Sequence, residues 1–215
     1  MVSSIISTSD TTFSTAEDAR RLFNVTDSDL AALQRLGEHV TPEMDTHIED
    51  FYEWLTTLAE YEVFFPDQEM VDHVKTLQRK YWRRVFEGTI DQSYIDRRQM
   101  VGEVHARIGL PLGIYFAAMN HAVNLFSGTH HDSDMEADEV AAGVIALQKV
   151  ASMDTALVVD THARMSNEAA MTQSKAIMDM STPVTQIWEG NLFLPLVGHI
   201  YSKRAQDIMD ASLVK

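Results

Sequence analysis

The sequence predicts an all-α protein: a helical bundle ending in one long helix, followed by the start of an α/β domain. Three observations carry that prediction. Apolar residues recur at three- and four-residue spacing through most of the first 180 positions, the repeat of a helix with one buried face. Helix start and stop residues fall between these periodic stretches, with Thr26 and Thr41-Pro42 as starts and Gly88 and Gly109 as stops. Past Pro183 the pattern changes to two short β-type runs on either side of Glu189-Gly190, a hairpin signal.

Residues 1–15 read as a flexible Ser/Thr-rich tail with no basic leader region and no long apolar stretch, so a signal peptide is not expected. Residues 16–23 form a short helix. The next begins at the N-cap candidate Thr26, with Asp27 and Asp29 suited to its first turn. Thr41-Pro42 opens a third helix, on which Met44, Ile48, Phe51, Leu55 and Leu58 share one face. Pro66 breaks the pattern. A helix over 67–88 follows, with Met70, Val74, Leu77, Tyr81 and Val85 in register, closed by Gly88. Another ends at Gly109. The stretch 110–128 carries almost no charge and is expected to be buried on most sides. After a polar loop, a helix of more than forty residues runs from about Asp134 to about Met180. Its second half is small and polar on most faces, which suggests a helix that leaves its domain and pairs with a partner helix. The hairpin and one final helix cannot bury a core of their own, so the chain is expected to end partway through a second domain.

Composition sets the outer limits on function. The formal net charge of −15 argues against a phosphate-backbone partner. No cysteine is present, which excludes disulfides and thiolate ligands. No apolar run approaches eighteen residues, so no membrane span is expected, and a cytoplasmic protein is the simple account. One segment runs against the overall charge. Lys75, Arg79, Lys80, Arg83, Arg84, Arg97, Arg98 and Arg107 place eight of the seventeen basic residues within 33 positions. A solvated helix face is the favoured account; a surface receiving an anion, such as a cofactor carboxylate, is the sharper one.

A lone histidine in a small, apolar helix end is by default a packing residue, and His105 would be one without its context. The context is specific. "FYEWL" (51–55), "KYWRRVFEGTIDQSYIDRRQMVGEVHARIGLPLGIY" (80–115) and the long terminal helix resemble the sensor globins of globin-coupled sensors. There an aromatic-Tyr pair is followed by Tyr-Trp before a Phe-x-Gly stop, then Arg-Arg, then Val-His-x-Arg-Ile-Gly-Leu-Pro. The resemblance covers roughly residues 16–165 and implies a globin-like bundle binding haem b. His105 is then the proximal iron ligand, its second ring nitrogen held by an acceptor. Tyr52 matches the family's distal tyrosine, a donor to a bound diatomic gas. Leu77 falls at about the distal position of the facing helix and, being apolar, leaves Tyr52 the principal polar group there. Tyr115 matches a tyrosine beyond the proximal histidine, in a packing or a signalling role. Phe51, Phe64, Phe65, Trp82, Val104, Ile108 and Phe116 are candidates for the apolar haem wall. His121 is structural or part of a dimer surface. His130 and His131 beside Asp132 and Asp134 have metal-ligand chemistry, but neighbours in one loop seldom converge on an ion, and a solvated loop is preferred.

The segment 177–209 resembles the start of the STAS domain of stressosome RsbR proteins, with Met-x-x-Ser-x-Pro-Val, Trp-Glu-Gly, Leu-Pro-Leu-Val-Gly and a Ser followed by a charged-Arg-Ala helix. Ser202 falls where that family is phosphorylated, and is equally suited to be an N-cap. His199 and Tyr201 depart from the usual Thr and Asp there, which puts recognition by the usual kinase in doubt. Together the resemblances imply a tail (1–15), a sensor globin domain (16–165), a linker helix (166–182) and a partial STAS domain (183–215). The implied role is a non-enzymatic oxygen or diatomic-gas sensor in stress-response signal transduction. It would be homodimeric, with an STAS-only scaffold protein and a switch kinase as partners, and with neither nucleic acid nor membrane. Two rivals stand beside it. One is a haem-free scaffold module in which His105 is packing. The other is a haem dioxygenase or peroxidase, for which no flavin or nicotinamide fingerprint is present to bring electrons.

Overall fold

The computed structural model describes residues 15–128 and 135–180, together with 185–188 and 191–193. In chain order the helices are α1 (Ala16–Leu22), α2 (Asp27–Val40), a 3-10 turn (Thr41–Glu43), α3 (Met44–Leu55), α4 (Tyr61–Phe64), α5 (Gln68–Phe86), α6 (Gln92–Arg107), α7 (Leu112–Gly128) and α8 (Ala137–Met180). The chain divides into two compact units, the first ending at Ala163 and the second beginning at Arg164.

Helix starts follow cap chemistry. Thr26 caps α2 in a full capping box with Asp29, each side chain accepting from the other's backbone N–H. Asp67 caps α5 through the Met70 N–H, and Asp91 caps α6 through the Tyr94 N–H. The first unit's core joins Leu33 and Leu36 of α2, Met44 and Ile48 of α3, Val85 and Phe86 of α5, Tyr94 and Ile95 of α6, Phe126 of α7, and Leu147, Met153 and Leu157 of α8.

Several elements differ from the sequence prediction. Thr41 makes no cap, because Thr41-Pro42 continues directly from α2 as a 3-10 turn with helical backbone at Thr41. Helix α3 stops at Leu55, short of Leu58; the hydroxyls of Thr56 and Thr57 bond back to the Glu53 and Trp54 carbonyls, drawing helix acceptors away. On α5 the buried row is Val71, Trp82, Val85 and Phe86, and Met70 and Leu77 lie on an exposed face. The two rows are adjacent on the helix, and the large rings of Trp82 and Phe86 take the core side. Helix α7 is not buried on most sides: Tyr115, Ala122, Val123 and Phe126 face the core, while Phe116, Ala117, Asn120 and Asn124 are exposed. Lack of charge lets a helix be buried; it supplies no partner on the outer face.

Helix α8 runs 44 residues. Up to Thr161 it contributes to the core, and from Ser166 to Ile177 its side chains are exposed. By length and composition alone it could cross a membrane, contrary to the reading of the sequence, yet more than half of its most apolar stretch is buried inside the protein, as in a core helix. In the second unit β1 (Thr185–Trp188) pairs antiparallel with β2 (Asn191–Phe193), Thr185 opposite Phe193, with a register shift between Gln186 and Trp188. The hairpin signal is thus confirmed. The final helix with Ser202, His199 and Tyr201, the 130–134 histidine loop and the tail before Thr15 lie outside the described residues.

Candidate functional site

The site begins at the end of α6. Gly109 adopts φ +70°, and the Leu110 N–H bonds to the His105 carbonyl (3.0 Å) while the Gly109 N–H bonds to Ala106 (3.1 Å). This is the paired hydrogen bonding of a Schellman stop, which Gly favours because it lacks a Cβ. It fixes His105 in the last turn of the helix.

The imidazole is set by a second contact. Nδ1 of His105 lies 2.7 Å from the Val101 carbonyl oxygen. A carbonyl only accepts, so Nδ1 carries the hydrogen. Burial holds the imidazole below its ordinary pKa, outweighing the bond to Val101, and His162 acts in the same direction as burial. The neutral ring therefore keeps the lone pair on Nε2, the form that ligates iron or another borderline metal. Tyr115, buried on α7, packs its ring edge-on to His105 with centroids 5.1 Å apart. Burial raises its phenol pKa, as does Asp154.

On α3, Tyr52 is buried between the rings of Phe51 and Phe65, each 5.7 Å away. Its hydroxyl has no hydrogen-bond partner among the described residues. A buried orphan hydroxyl costs about 1–3 kcal/mol, and such a group calls for a partner that the described residues do not supply. Burial keeps the phenol protonated, so it is a donor at any physiological pH. Lys75 on α5 places Nζ 5.1 Å over the Tyr52 ring while bonding to Glu49.

Other sequence candidates separate by environment. Leu77, Val104 and Ile108 are 49%, 45% and 53% exposed, and Phe116 is likewise exposed. Val104 and Ile108 flank His105, and a flat apolar group seated on its Nε2 would cover apolar side chains of this kind. Trp82 packs on Phe126 and Tyr81 and belongs to the same core cluster as Tyr52. His121 stacks on Trp54 at 4.4 Å. Among the described residues no cluster of three His, Asp or Glu is placed to hold a metal.

Four of the eight residues of the basic stretch, Lys75, Arg79, Arg84 and Arg98, form ion pairs within the chain. Lys75 pairs with Glu49, Arg79 with Asp45 and Glu49, Arg84 with Glu87 and Asp91. Arg98 is not on a solvated face at all: it is 3% exposed and paired with a fully buried Asp154. Asp154 and Tyr94 were not singled out from the sequence, and Lys75 only as one of the basic residues. The available signal was an aspartate inside the apolar run "VASMDTALVV" of α8.

A pH dependence follows. His47, His105 and His121 are each held below the ordinary value of 6.5, in each case chiefly by burial. The unfolded chain takes up protons as pH falls through about 6.5 while the folded chain resists them, so stability is lost in that direction. Urea midpoints of haem-free protein at pH 7.5 and 5.5 should fall toward the lower pH; a flat or rising midpoint contradicts the assignment.

A helical bundle in which a neutral histidine closes α6 and a buried tyrosine hydroxyl lacks a partner among the described residues fits a globin-type domain. The chain belongs to the Protoglobin family, whose model matches residues 14–168. Its fold is similar to the globin domain of the Geobacter sulfurreducens globin-coupled sensor (TM-score 0.64, 20% identity, covering 69% of this chain and 98% of that one). It is also similar to the ferric globin domain of Escherichia coli DosC (TM-score 0.59, 17% identity, covering 67% and 97%).

Proposed function

We propose that the chain is a haem-based sensor of oxygen or another diatomic gas and not an enzyme. The observation that carries this reading is the presence together of a neutral His105, tautomer fixed by Val101, and a buried Tyr52 hydroxyl with no partner among the described residues. When bound, haem b supplies an iron with one open position for a gas. His105 would hold the group through Nε2. Tyr52 would keep its proton and donate a hydrogen bond toward the gas, and Phe51 and Phe65 would exclude water around the phenol. Leu77, Val104, Ile108 and Phe116 would cover the apolar faces. The signal would leave along α8, continuous from the histidine-bearing unit past Ala163. We assign the output to a partial STAS domain over 183–215 with Ser202 as phosphorylation site. The chain would act as a cytoplasmic homodimer alongside an STAS-only scaffold protein and a switch kinase; the β1–β2 hairpin supports an α/β start there.

The direct test is the absorption spectrum of purified protein: ferric, reduced, then exposed to oxygen. A Soret band that shifts at each step supports the sensor. No band after haem reconstitution assigns the chain to haem-free scaffolding, and sustained turnover of nitric oxide or peroxide with a reductase assigns it to catalysis.

Tyr52→Phe separates stability from function. Removing an orphan hydroxyl should leave the haem-free fold unchanged or up to about 1 kcal/mol more stable. Gas dissociation, measured by stopped flow, should speed up roughly 10–100-fold, the worth of one strong hydrogen bond. An unchanged dissociation rate removes Tyr52 from the site.

A further inference from the structure

Below His105, α6 is fastened to α8 along one face. Arg98, Gly102 and His105 are spaced four and three residues apart, so they share a stripe of α6. Facing them on α8 are Asp154, Val158 and Thr161, again spaced four and three. At the lower contact the Arg98 Nε–H donates to Asp154 Oδ2 at 2.7 Å, and the hydroxyls of Tyr81 and Tyr94 donate to the same oxygen at 2.7 and 2.8 Å. The guanidinium is sandwiched between those two rings, 3.8 Å and 4.1 Å from their centroids. At the upper contact the helices nearly touch: a Cβ on Gly102 would lie 2.8 Å from Thr161 Cβ and 3.0 Å from the Val158 carbonyl oxygen. Thr161 cannot swing aside freely, since its hydroxyl bonds to the Leu157 carbonyl. Gly102 directly follows Val101, whose carbonyl holds the imidazole.

We propose that Arg98, Gly102 and Asp154 are positioning residues for His105: they lock α6 onto α8 one and two turns below the imidazole, so that a displacement of His105 is delivered to α8 at residues 154–161. A buried ion pair is a weak source of net stability against well-packed apolar residues, and in some proteins its role is to specify register, the role proposed for it here. A glycine at the closest approach makes the helix separation a hard limit. The segment that receives the displacement ends two residues before the first unit does. The role of His105 here rests on the proposed haem reading; the seam itself does not.

The test uses the full chain with Gly102→Ala, and Leu33→Ala as a destabilised core control away from the seam. Two signatures are read: the ring nitrogen NMR shifts of His105 in haem-free protein, and the iron–histidine stretching band of the reduced, haem-loaded protein. Gly102→Ala should move both, Leu33→Ala neither, and Gly102→Ala with Thr161→Gly should move both back toward wild type. If Gly102→Ala does not fold, Arg98→Met with Asp154→Leu takes its place, keeping the packing and freeing the register. Folded seam variants with wild-type His105 signatures overturn the proposal. If the wild-type protein takes up no haem, the sensor reading fails on that result alone, and the haem-free ring shifts still decide the seam.

Discussion

Replacing His105 with alanine should abolish the Soret band or weaken haem retention by at least about a hundredfold. The estimate is a lower bound, because removing only an outer partner of a metal ligand already costs roughly 10–100-fold. The fold should survive, since His105 sits at a helix end that Gly109 and Leu110 stop through backbone bonds independent of the ring. Free imidazole added to His105→Ala should restore part of the band, because Nε2 is the only atom the proposed role demands. Replacing the neighbouring Val104 with alanine, which leaves the Val101 contact in place, should keep the band. A full Soret band in His105→Ala would show that another residue holds the group.

Why this site was legible in sequence is a matter of locality. The Gly109 stop, the Val101–His105 spacing of four and the approach of Tyr115 all lie within fifteen residues, so local backbone rules and the motif reach them together. The Thr26 cap, the Gly88 and Gly109 stops, the long α8 and the β1–β2 hairpin were legible for the same reason. What escaped the sequence depends on distant partners. Choosing between the Met70–Leu77 row and the Val71–Trp82 row of α5 requires knowing which side meets Phe126, forty or more residues away. The outer face of α7 shows no polar signal because small residues and asparagines are tolerated in either setting. Arg98 resembled its basic neighbours until Asp154, 56 residues later, claimed it. Charge composition alone does not distinguish a buried arginine from a solvated one.

That pair carries the largest stability effect expected in the protein. Asp154→Asn keeps the shape but leaves the Arg98 guanidinium charged and buried without its counterion, and leaves two tyrosine hydroxyls facing a weaker acceptor. Breaking one side of a buried pair costs about 3–5 kcal/mol, roughly a third of the total stability of a typical domain. At about 2–4 °C per kcal/mol for a chain of this size, Tm should fall by roughly 6–20 °C. The double replacement Arg98→Met with Asp154→Leu should recover only part of that loss: it removes both charges and keeps apolar volume between Tyr81 and Tyr94, but takes the acceptor from their buried hydroxyls, at about 1–3 kcal/mol each. The two results have to be read together. A large single-mutant loss with recovery in the double identifies a pair kept for register and not for net stability, which is what the α6–α8 seam needs. A double mutant as unstable as the single would mean that Tyr81 and Tyr94 depend on the carboxylate itself. A single-mutant loss below about 1 kcal/mol would mean that the guanidinium has water as an alternative partner, and would remove the ion pair from the account of how His105 is held.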